Sequence, residues 1–154
     1  MIGSAVLLHV ISVEIWVGGT IFAYMFLRPV AAAQLEPPAR LTLWAGVFSS
    51  FFPWVWTCVV AVLATGFWLI FNVFGGMAGS PLYVHAMLGL GILMMLIFLH
   101  VYFAPFARLK RAVAAEDWPA GGKSLSQIRM LVGINTLLGI ITIAVASGGR
   151  YLLA

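Results

Sequence analysis

Apolar residues along this chain gather into four long stretches, at about 4–27, 50–73, 83–106 and 128–146. Each is close to the roughly 20 residues that a helix needs to cross the hydrocarbon of a bilayer, and each is predicted as a transmembrane helix. The second apolar run already begins at residue 41, which is too long for one straight span. Pro53 would kink it or mark where it enters the bilayer, so 39–50, after Pro37 and Pro38, reads as an interfacial start. "SLSQ" opens the fourth span, with Ser124 and Gln127 at capping-box spacing. Between the spans lie a short loop, 74–83, and one sizeable polar linker, "AAEDWPAGGKS" at 114–124. With no repeats and no loop long enough to fold separately, the expected fold class is all-α, a single integral membrane four-helix bundle over 1–154.

Composition supports this pattern. The chain of 154 residues is 64% hydrophobic and only 8% charged, with a mean hydropathy of +1.12, values that exclude a soluble domain of this length. The formal charge of +4 does not point to nucleic acid, because the eight basic residues cluster at the ends of apolar runs, where lipid headgroups would meet them. Arg28 and Arg40 flank the first connection, and Arg108, Lys110, Arg111, Lys123 and Arg129 flank the third. Arg150 alone falls on the other side. This bias places both connections in the cytoplasm and both termini on the outer, periplasmic side of a bacterial-type inner membrane. "PVAAAQ" at 29–34 has small residues like those of a signal-peptide cleavage site, but no positive segment precedes it, so the first run stays as a helix. Cys58 is the only cysteine, which rules out an intramolecular disulfide.

Ionisable and polar groups inside a span are functional candidates by default. They are His9, Glu14, His85, His100 and Asn135. At about 1.5 Å per residue, His9 and His85 share a depth near the outer surface, whereas His100 lies about 22 Å from His85 along the same helix. His9, Trp16 and Thr20 form one stripe of the first helix, and Glu14 points elsewhere, at about 140° from His9. Gly18 and Gly19 follow Trp16, and Gly89 shares a face with His85. Glycines there would admit a flat macrocycle or a neighbouring backbone. These positions suggest a haem b between the first and third helices, with His9 and His85 as axial ligands and Met87 as a substitute. A copper pathway through the methionines and His100 is the alternative, but the methionines scatter over several faces and Met94 and Met95 are adjacent, so they build no single soft-ligand site and read better as core packing. Plain structural contacts are the third possibility. Glu14 is a midplane carboxyl group suited either to proton relay or to a neutral hydrogen bond. Asn135 reads as interhelical glue. The aromatic run "FFPWVW", 51–56, reads as belt or lipid-facing surface, or as a porphyrin stack.

Together, "LLHVISVEIWVGG", "YVHAMLGLGILMMLIFLH", the "TG" of Thr65 and Gly66, and the basic "ARLKRA" resemble the small four-helix membrane proteins of the CopD and HemJ group. The HemJ branch implies haem b and oxidation of protoporphyrinogen IX, with a first-helix histidine matching His9. That branch has a lysine where this chain has Met87, and an asparagine and glutamate pair of which only Asn135 is present. The CopD branch implies copper uptake or resistance, and the chain resembles it better. The leading expectation is a haem b redox and electron-transfer protein, an oxidoreductase if it turns over substrate; the alternatives are a copper protein of CopD type, a HemJ-like oxidase, or a structural subunit. Expected partners are the lipid bilayer and a homo-oligomer or larger membrane complex, not nucleic acid.

Overall fold

The computed structural model describes residues 1–152, without the side chains of Arg150 and Leu152. The one basic side chain assigned to the outer side, Arg150, therefore lies outside the described residues. Four helices account for nearly all of the chain: α1 (Ile2–Gln34), α2 (Pro37–Val73), α3 (Leu82–Ala114) and α4 (Trp118–Leu152). All four are long and apolar enough to cross a membrane. They alternate in direction, so the start of α1 and the end of α4 lie at one end of the bundle and the connections 35–36 and 115–117 lie at the other. Arg28, Arg40, Arg108, Lys110, Arg111, Lys123 and Arg129 all belong to this second, basic end.

The helices outrun their apolar stretches. α1 and α3 have 33 residues each and α2 has 37, or about 50 Å at about 1.5 Å per residue, against a hydrocarbon thickness of about 30 Å. The surplus extends past the apolar runs at the basic end. The expected interfacial segment 39–50 is simply the first part of α2, which continues through Pro53. The expected polar linker shrinks to Ala115–Asp117. Its ends are set by local chemistry: Glu116 takes a left-handed conformation, φ 53°, and the N–H of Asp117 returns to the carbonyl of Ala112 at 2.9 Å, closing α3. Asp117 Oδ1 then accepts the N–H of Ala120 at 3.1 Å, which caps α4. Ser124 is not the cap; it lies buried inside α4.

Two wide π turns, Phe22–Leu27 in α1 and Tyr102–Phe106 in α3, occur at Pro29 and Pro105. A proline lacks an N–H, and its ring collides with the carbonyl four residues back; widening the turn lets the helix continue.

α1 packs most extensively on α2, and α3 on α4. The centre is aromatic. Phe52 of α2 meets Phe98 at 5.4 Å and Phe106 at 4.8 Å, both edge-to-face, and Trp56 meets Phe98 at 5.4 Å. These are favourable aromatic geometries. The run 51–56 therefore forms much of the α2–α3 contact, with Trp54 turned outward.

Candidate functional site

His9 is the most specifically held of the candidates. Its Nδ1 lies 2.8 Å from Oγ1 of Thr65 on α2, and that hydroxyl lies 2.6 Å from the carbonyl of Ala61. A hydroxyl has one proton, and a carbonyl can only accept. With Thr65 donating to Ala61, the arrangement suits a ring whose Nδ1–H donates to Thr65 and whose Nε2 is the acceptor nitrogen; the backbone of Val62 is a further partner of the ring. Gly66 makes room for this arrangement: a Cβ there would stand 3.2 Å from Cε1 of His9. The relay of imidazole, hydroxyl and carbonyl holds the ring in one orientation, as an outer partner does for a metal-binding histidine.

Below His9 the stripe faces the core as expected. Trp16 and Thr20 are buried. Trp16 sets its ring edge-on to Phe98 at 6.2 Å, and Thr20 donates to the carbonyl of Val17 at 2.8 Å. Cys58 is two helical turns from Thr65 along α2, about 10 Å deeper. Cys58, Met94 and Met95 are all buried in the same contiguous core as Trp16. The Met94 sulfur is 3.8 Å from the Thr142 hydroxyl, which itself donates to the carbonyl of Leu138 at 2.8 Å. The sulfur lone pairs are thus not taken up by a strong hydrogen bond.

The other candidates lie elsewhere. His85 is exposed on α3, and Gly89 on the same face has nothing within 4 Å of a would-be Cβ. Met87 is half-buried and His100 is exposed. Glu14 is exposed, without a hydrogen bond among the described residues. Gly18 faces open space, whereas the position of a Gly19 Cβ is filled by the ring of Phe51. Gly19 thus serves the contact between α1 and α2. Asn135 is buried, and its Oδ1 has no hydrogen-bond partner among the described residues; it borders a cavity of about 20 Å³ beside Trp16 and Thr20. Among the described residues, no group of three or more His, Cys, Asp or Glu residues could hold a metal ion.

A haem b between α1 and α3 gains no support from this arrangement. His9 is turned to α2, His85 is exposed, and the larger cavity, about 650 Å³, sits at the basic end with no histidine in its lining. Thr65 is the residue that sequence reasoning noted without assigning it to His9. Its depth gave the available signal: counted from the ends of the predicted spans, Thr65 and His9 come out within about one helical turn of each other.

Four apolar helices around a buried aromatic and sulfur-bearing core define a small multi-pass membrane protein. Residues 45–148 match the family described as copper resistance protein D, which is more than half of the chain, and the chain belongs to that family. The match covers Cys58, Thr65, Met94 and Met95 and begins after α1. Comparisons with curated proteins and with solved structures return no match.

Proposed function

We propose that this chain handles copper ions as cargo within the membrane, in uptake or resistance. His9 would be the first ligand, with Cys58, Met94 and Met95 as deeper soft donors. The observation that carries this reading is the His9–Thr65–Ala61 relay, which engages Nδ1 and holds the imidazole in one orientation near the start of α1. Imidazole, thiol and thioether are donors that suit cuprous copper. The family supplies the metal. His85 and His100 stay outside this donor set because they are exposed on α3, and half-buried Met87 is not assigned to it. Glu14 receives no role in it.

Anaerobic dialysis of the purified chain against cuprous ion in the presence of a competing chelator, followed by elemental analysis, tests this. Retention of about one copper per chain, with at least a tenfold weaker affinity in His9→Ala, supports the reading. No retention above the level of His9→Ala overturns it. A Soret band in the same preparation that disappears in His9→Ala would favour the haem b reading instead.

A further inference from the structure

The cavity of about 650 Å³ at the basic end lies between α1, α2 and α4, away from His9. Three arginines, Arg28, Arg40 and Arg129, are among its lining residues, and no Asp or Glu is. Arg28 stacks on Tyr24, 4.9 Å from the ring centroid, and Arg129 Nη2 is 3.5 Å from the Ser126 hydroxyl. Tyr24 packs against the Gly133 position across α1 and α4, which brings Arg28 and Arg129 to one level of the bundle. Arg40 lies farther toward the basic end. On the inner side the lining is apolar, with Ala23, Trp44 and Phe48 buried in the core and Val132 half-buried.

The cavity is therefore an amphiphile in negative, charged at the mouth and apolar behind it. Its position matches its shape, because Arg28 directly follows the apolar stretch of α1 and so sits at the depth of lipid headgroups. A volume of this size takes a headgroup, its glycerol and the upper part of the chains. Arginine forks match phosphate oxygens, and basic pockets between membrane helices are suited to anionic headgroups. We infer that this cavity holds one anionic phospholipid, with its phosphate against Arg28, Arg40 and Arg129 and its acyl chains leaving along Phe48 and Val132. The inference is independent of copper binding.

Native mass spectrometry of the full chain in nonionic detergent tests it, using dioleoyl phosphatidylglycerol and dioleoyl phosphatidylcholine as probes. One phosphatidylglycerol per chain should bind at least tenfold more tightly than phosphatidylcholine. Arg28→Gln/Arg129→Gln should reduce phosphatidylglycerol binding to the phosphatidylcholine level. Gly122→Leu should do the same with every charge kept, because Gly122 lines the cavity and a Cβ there meets nothing within 4 Å. Lys123→Gln, which removes a nearby charge outside the lining, should change binding less than twofold. Equal binding of the two lipids by the unaltered chain overturns the inference. So does phosphatidylglycerol binding that is unaffected by Gly122→Leu. Displacement of the lipid by micromolar inorganic phosphate would also overturn it, by assigning the arginines to free phosphate.

Discussion

The Nδ1 of His9 and the hydroxyl of Thr65 are 2.8 Å apart across α1 and α2, and the Thr65 hydroxyl donates a hydrogen bond to the carbonyl of Ala61 at 2.6 Å. One threonine thereby holds the imidazole in one orientation and engages its Nδ1. Thr65→Val keeps the shape and removes the hydroxyl. Leaving a part-buried N–H unpaired costs about 1–3 kcal/mol, and losing such an outer partner weakens metal binding by about 10–100-fold. Thr65→Ser should keep most of both. Thermal unfolding and cuprous-ion affinity, measured on the two variants side by side, check this expectation.

Gly66 tests the same contact sterically. Its added Cβ would stand 3.2 Å from His9 Cε1, a gap that a small movement of the ring can relieve, so Gly66→Ala should weaken copper affinity by no more than about threefold. Gly66→Leu has no such relief and should weaken it as much as Thr65→Val. Equal affinities for the unaltered chain and Gly66→Leu would separate copper binding from this ring position.

The neighbouring glycines 18 and 19 should respond in opposite ways. Gly19→Ala drives a methyl group into the ring of Phe51 and should cost about 1–3 kcal/mol. Gly18→Ala meets nothing and should be neutral or stabilising by up to about 1 kcal/mol, since alanine favours a helix over glycine. Unfolding midpoints of the two variants in one detergent give the comparison.

Asn135 bears on what holds α4 in place. Its buried Oδ1 has no hydrogen-bond partner among the described residues, and about 20 Å³ of space adjoins it. Asn135→Val should therefore leave stability unchanged or raise it by about 1 kcal/mol. A loss of 2 kcal/mol or more would show that the amide ties helices together after all.

The four spans were legible because a bilayer imposes a length and an apolar composition that any sequence must display. Helix ends were not. Apolarity stops at Leu27, but α1 runs on to Gln34, since beyond the hydrocarbon a helix needs only propensity and packing. Ser124 had the capping spacing, yet Asp117 holds the cap, because Pro119 fits a first helical turn and lets α4 begin earlier. The stripe of His9, Trp16 and Thr20 was readable from the helical period. Its partner helix was not, since depth alone allowed either α2 or α3, and the choice of Thr65 depends on packing. The "FFPWVW" run suggested belt or stacking roles; instead Phe52 and Trp56 pack against α3. The basic residues were visible, but not the cavity three of them line, which exists only through the placement of three helices.

His9 is the proposed first ligand for copper. Copper K-edge X-ray absorption of the cuprous-loaded chain tests that role most directly, recorded for the unaltered protein, His9→Ala and His85→Ala. Imidazole scattering around copper should be lost in His9→Ala and kept in His85→Ala. The same imidazole scattering in His9→Ala as in the unaltered protein would contradict that role.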